Sequence, residues 1–224
     1  MTRRILTVVS GGLRSPSSTR LLADQLAGAA RSALATGGDT VEVRHVELRD
    51  HAHAITDALL TGFPTGALRD ALADVTGADA LVVVTPTFQA SYSGLFKSFL
   101  DLVEAGTLRG MPVLLAATGG TERHSLVIEH ALRPLFSYLG AVTVPTGVYA
   151  ATADFGGEGT ADLAIRIDRA AQELAGLLAG GMTRPGPEAV VVPFAERLAA
   201  AAPGLDGPAG RAGRRAPDPG EVRR

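Results

Sequence analysis

Hydrophobic positions along this chain fall into two alternating patterns. Short runs that are almost wholly apolar occur at Arg4–Val9, Ala80–Thr85 and Met111–Ala117, and they read as strands buried on both faces. Thr40–Leu48 alternates with period two and predicts another strand, and Ala141–Val148 a fifth, weaker one. Stretches with helical spacing lie between them. In Ser18–Ala35, Leu21, Leu22, Leu26, Ala29, Ala30 and Leu34 share one broad face, and Gly37-Gly38 supplies a stop. Leu68–Val75, Gly94–Glu104, Ser125–Leu139 and Thr160–Leu178 are the other helical segments, the third carrying Pro134 as a potential kink. Residues 50–78 are otherwise the least clear part, with 61–66 reading as a loop. Pro86 is expected to end the third strand.

Strands alternating with helices imply a parallel sheet covered on both faces. Five such units in residues 1–180 match one α/β domain: a flavodoxin-like, doubly wound, five-stranded parallel sheet of order 2-1-3-4-5. From 181 to 224 the composition turns to Pro, Gly, Ala and Arg, and this tail is expected to be largely disordered. Its one apolar island is Val190–Ala202.

Composition narrows the function classes. The chain is 46% hydrophobic but only 4% aromatic, so small aliphatic residues must fill the core. A net charge of −2 argues against nucleic acid as the main partner. No apolar run reaches the length of a membrane span, and "MTRRILTVVSGG" lacks the apolar region of a secretion signal, so a cytoplasmic protein is expected. There is no cysteine, hence no disulfide and no thiol chemistry. The five histidines show no zinc-binding spacing, and no metal is expected. No Gly-x-Ser-x-Gly elbow is present. Redox chemistry, if any, must come from a bound cofactor.

In a sheet of order 2-1-3-4-5, ligands bind beyond the carboxyl ends of the strands, between the first and third. The loops there are "SGGLRSPSSTR" (10–20), "PTFQASYSG" (86–94) and "TGGTERHS" (118–125). In the first, Gly11 and Gly12 permit a tight turn, and Ser17, Ser18 and Thr19 place hydroxyls at a helix N-terminus, which suits a phosphate. The pattern is neither the dinucleotide-binding Gly-x-Gly-x-x-Gly nor a P-loop. The alternative is that Ser18 simply caps the helix. In the second, Thr87, Phe88, Gln89 and Tyr92 can hold a planar heterocycle, or Phe88 and Tyr92 can fill a core or dimer surface. In the third, Thr118-Gly119-Gly120 brings bare backbone close to a ligand, or forms a plain turn. His124 is the one histidine near these loops.

The segments "SPSSTRLLADQL" (15–26), "VVVTPTFQASYSGLFKSFLD" (82–101) and "LAATGGTERHSLVIEHALRPLFSYLGA" (115–141) resemble the NADPH-dependent FMN reductase family, in particular its branch that partners luciferase-like monooxygenases. The resemblance implies that FMN and NADPH (or NADH) are the cofactors and that hydride passes from nicotinamide to flavin N5. It implies that Ser10 and the Arg14–Thr19 stretch, with Arg14, Ser17, Ser18 and Thr19, hold the FMN phosphate. Pro86, Thr87, Phe88, Gln89 and Tyr92 would line the ring, and Thr118, Gly119 and Gly120 would face its pyrimidine edge. No catalytic side chain is needed, since the flavin carries the chemistry. A homodimer or dimer of dimers, and a flavin-dependent monooxygenase as partner, are also implied. A quinone or azo-dye reductase, or a non-enzymatic electron carrier, are the competing expectations on the same scaffold.

Overall fold

The computed structural model describes residues 2–156 and 159–180, so the tail from 181, including Val190–Ala202, lies outside the described residues. Its strands are β1 (Arg3–Ser10), β2 (Thr40–Glu47), β3 (Ala80–Phe88), β4 (Ser91–Tyr92), β5 (Pro112–Gly119), β6 (Val142–Thr143) and β7 (Val148–Ala151). Its α-helices are α1 (Ser18–Thr36), α2 (Ala52–Thr61), α3 (Gly66–Thr76), α4 (Gly94–Leu100), α5 (Arg133–Tyr138) and α6 (Gly159–Ala179). The main sheet runs β2-β1-β3-β5-β6, with β7 also on β5, and all of these pairs are parallel. This is the expected 2-1-3-4-5 order, because β6 and β7 are two pieces of one fifth strand.

Alternation along the strands divides the core. Leu6, Val8, Val82, Val84, Leu114 and Ala116 face α1 and α6. Val9, Leu81, Val83, Val113, Leu115 and Ala117 face the α2–α5 side, where Phe96, Phe99 and Phe136 are fully buried. Both faces are covered, which is why the strand sequences are apolar at every position rather than at every second one.

Three local expectations need correction, and one unassigned segment gains a helix. First, β3 does not stop at Pro86: that residue pairs in register with Thr118, and the strand continues to Phe88. The Val84 carbonyl accepts from Gly11 N at 2.8 Å, so the position where Pro86 lacks an N–H faces the same side, where β1 has already ended. No ladder bond is lost. Second, residues 52–61 form α2, whose buried residues are only Ile55 and Ala58, too few to print a stripe. Third, the expected helices at 94–104 and 125–139 are shorter or broken. α4 ends at Leu100, and a π-helical turn over Ile128–Leu132 precedes α5. Pro134 has no N–H for the carbonyl of His130, four residues back, and the wider turn accommodates that gap. Fourth, the fifth strand breaks at Pro145–Gly147. Glu173 binds Thr146 through both N and Oγ1 at 2.7 Å, and a Cβ on Gly147 would lie 2.5 Å from Ile128.

Candidate functional site

The three predicted loops meet at the carboxyl ends of β1, β3 and β5. Register joins the first two strands through Ser10↔Val84 and the second pair through Pro86↔Thr118. The first and third loops are joined directly: Thr19 Oγ1 and Thr118 Oγ1 share a buried hydrogen bond of 2.8 Å.

The first loop is built around its glycines. Gly11 and Gly12 are both buried, and a Cβ on Gly12 would stand 2.3 Å from Ser17 Oγ. Ser17, not Ser18, is the cap of α1: its Oγ accepts from Arg20 N at 3.2 Å, from an extended backbone. Ser18 is exposed in the first turn. The earliest N–H groups of α1 are therefore left for a ligand. Ser10 is fully buried on the face that α1 covers, and its Oγ has no hydrogen-bond partner among the described residues. A buried hydroxyl without a partner costs about 1–3 kcal/mol, which an incoming acceptor would relieve. Together, the orphan hydroxyl and a cradle that one methyl would fill fit a phosphate group. Arg14 is exposed at the rim. Arg20 is not free for an anion. Burial works against its charge, but Asp24 at 2.7 Å and Glu47 at 2.9 Å hold the guanidinium firmly protonated.

The second loop is a hairpin. Thr87 pairs with Tyr92 and Phe88 with Ser91, antiparallel, around Gln89 and Ala90. Both turn residues have positive φ, 48° and 63°, without being glycine. For alanine that conformation costs about 1–2 kcal/mol, strain of the kind concentrated at binding sites. The turn leaves Gln89 and Phe88 exposed, Phe88 by 46%. Tyr92 differs from them, since its ring stacks tilted on Phe96 with centroids 6.2 Å apart. The half-buried Pro86 ring closes over Gly11, whose Cβ position is 3.4 Å from Pro86 Cδ.

The third loop leaves β5 at Thr118-Gly119. Gly120 is exposed, and Glu122–His124 forms an exposed 3₁₀ turn that carries His124 outward. Sequence reasoning missed Tyr149. It lies on β7 opposite Ala117, is 8% exposed, and donates its hydroxyl to Thr121 O at 2.7 Å. Burial raises its pKa, and Thr87 opposes the shift from close by, although the Thr87 hydroxyl makes no hydrogen bond of ordinary geometry. The available signal was a tyrosine among the small residues of a buried strand, where the polar tip requires a partner.

A separate groove of about 900 Å³ lies between α1 and α6, floored by small residues such as Gly28, Ala29, Ala171 and Ala175. Its lining includes no residue of the three loops. Among the described residues, none of the unpartnered buried polar atoms belongs to its lining. Among the described residues no helix is long and apolar enough to cross a membrane.

Comparison with known proteins gives the chain a family. The profile of a family described as NADPH-dependent FMN reductase matches residues 4–156, which contain all three loops. An FMN reductase (NADPH) from Pseudomonas aeruginosa is 42% identical over 150 residues, 67% of this chain and 78% of that protein. The NADH-dependent FMN reductase SfnE of Pseudomonas putida is 39% identical over 171 residues, 75% of this chain and 88% of its own. Among solved structures, an oxidoreductase from Corynebacterium diphtheriae superposes with a TM-score of 0.77 at 47% identity. It covers 80% of this chain and 98% of its own.

Proposed function

Since the chain belongs to the NADPH-dependent FMN reductase family, we propose that its three convergent loops form one FMN site at which NAD(P)H is oxidised. The protein is a flavin- and nicotinamide-dependent oxidoreductase. The observation that carries the residue assignment is the buried, unpartnered Ser10 hydroxyl beside a glycine cradle and a helix N-terminus. Ser10, Ser17, Ser18, Thr19 and Arg14 hold the phosphate. In the Thr19–Thr118 pair one hydroxyl accepts, so its own proton remains available to the ligand. Pro86, Thr87, Phe88, Gln89 and Tyr92 bound the ring, and the Thr118-Gly119-Gly120 backbone faces its pyrimidine edge.

When bound, FMN would supply the redox chemistry, acceptance of hydride from the nicotinamide and transfer of the electron pair to an acceptor. The protein's own contribution is to orient, to exclude water and to place N–H donors where negative charge develops. Exposed Phe88 and Gln89 leave the ring face open to a nicotinamide, which suits exchange of flavin with solution. Supply of reduced flavin to a monooxygenase is the role we assign. Leu60, Phe63 and Tyr138, each more than 75% exposed on the α2–α5 side, support a homodimer through that side. A sedimentation mass equal to one chain would remove that assignment. The coenzyme requirement supports a cytoplasmic location.

Steady-state oxidation of NADPH and of NADH with free FMN, then with a quinone or azo dye, tests the reading. Reduced FMN is expected as the released product. Turnover of quinone on a permanently bound flavin, with no activity towards free FMN, would replace it by the quinone reductase reading. Ser18→Asp tests the phosphate end. A carboxylate in the first turn favours the helix itself, so thermal stability holds or rises. Facing a phosphate, the same charge costs on the order of 1–4 kcal/mol of FMN binding. Equal FMN affinity in the variant and the wild type would remove Ser18 from the site.

A further inference from the structure

We propose that Tyr149 is the positioning residue of the third loop: its buried phenol grips the Thr121 carbonyl and occupies the space beside Gly119, and so fixes the Thr118–Thr121 backbone towards the flavin. The inference rests on the reading that this loop faces FMN. Ala117 and Tyr149 are register partners on β5 and β7, so Gly119, two positions along β5, shares the face of the sheet that carries the Tyr149 ring. A Cβ built on Gly119 would lie 2.0 Å from the Tyr149 hydroxyl oxygen and 3.1 Å from Cζ. The glycine is therefore required by the tyrosine, not by its own backbone angles, since its φ is not positive. The hydroxyl reaches past Gly119 to Thr121 O at 2.7 Å, and the Thr118 hydroxyl is bonded to Thr19 at 2.8 Å, so the loop is held on either side of the glycine pair.

The strand that carries the ring is itself anchored. Asp154 accepts from Ala151 N at 2.8 Å and from Arg166 Nη2 at 3.2 Å, while the same Arg166 nitrogen lies 3.4 Å from Tyr149 O. β7 is thus tied to α6, and the phenol projects from a fixed base onto a loop whose glycines would otherwise leave it slack. Backbone N–H groups stabilise a developing anion only if they are held in place before it forms.

Three variants test the latch: Tyr149→Phe, Gly119→Ala and the double variant. In flavin-free protein, Gly119→Ala is expected to lower Tm clearly. Tyr149→Phe is expected to lower it by only about 2–4 °C, the scale of one buried hydrogen bond. In the double variant the Gly119→Ala loss is partly recovered, because removing the hydroxyl leaves the nearest ring atom at 3.1 Å instead of oxygen at 2.0 Å. With flavin, Tyr149→Phe is expected to raise the FMN dissociation constant by about tenfold. It is also expected to move the midpoint potential of the bound flavin to more negative values, while the KM for NAD(P)H stays unchanged. Additive Tm changes would overturn the contact, and wild-type FMN affinity and potential in Tyr149→Phe would overturn the positioning role. A wild-type protein that binds no FMN would overturn the functional reading itself, a result distinct from either.

Discussion

Gly12→Ala is expected to abolish tight FMN binding while leaving a folded protein. The added methyl would stand 2.3 Å from Ser17 Oγ and 3.2 Å from Thr19 Cβ. The backbone here is buried, and Ser17 Oγ is the softest neighbour, so the serine must rotate away. Rotation breaks the cap on α1, at a cost of about 1 kcal/mol. It also pushes on Thr19, whose hydroxyl is tied to Thr118 across the site. The methyl then occupies the concavity that the phosphate needs. Losing about two hydrogen bonds to a charged group corresponds to an FMN dissociation constant raised by about a hundredfold or more. Gly28→Ala on the same helix is the control. No atom of the described residues lies within 4 Å of its Cβ position, and glycine inside a helix is unfavourable. That variant is expected to gain about 0.5–1 kcal/mol of stability with unchanged flavin affinity. Fluorescence titration of FMN and thermal melts of both variants read these outcomes, and wild-type affinity in Gly12→Ala would remove the cradle.

The contrast between Gly12 and Tyr149 shows what the sequence makes legible at this site. The loops were legible because topology dictates them: once strands are buried on both faces, the order 2-1-3-4-5 brings the ends of β1, β3 and β5 to one edge. Within the first loop the residue types pointed to an anion, but the cap fell on Ser17 rather than Ser18. A run of consecutive hydroxyls does not reveal which of them turns back to the helix. Tyr149 was hidden because its role is a contact with residues about thirty positions away. The periodicity of a strand records burial, not what a side-chain tip reaches. A related reason hid α2, a helix packed through Ile55 and Ala58 while Leu59 and Leu60 point largely outward, so no clean apolar stripe marks it. Pro86 misled for a local reason: a missing N–H matters only on a side where a neighbouring strand exists.

Phe96→Ala is expected to carry the largest loss of stability and to loosen the site from behind. The ring is fully buried, with centroids 6.2 Å from Tyr92 and 6.4 Å from Phe136 in tilted geometry. With aromatics at only 4% of the sequence, few large side chains are available to collapse into the void. Phenylalanine-to-alanine substitutions in such cores cost about 3–5 kcal/mol. For a domain of this size that is roughly a 10 °C drop in Tm. Phe96 also touches the functional end of the sheet. Its Cδ2 is 3.5 Å from the Cβ position of Gly11, and its backbone N–H is held by Ser93 Oγ at the start of α4. Its removal takes support from Gly11 in the first loop and from Tyr92 in the second at the same moment. FMN affinity should therefore fall together with Tm, whereas Phe136→Ala, one ring further from Gly11, should lower Tm with a smaller effect on binding. Calorimetry and flavin titration of the two variants separate these outcomes. If Phe96→Ala lost stability but bound FMN as the wild type does, the coupling between this aromatic cluster and the site would be absent.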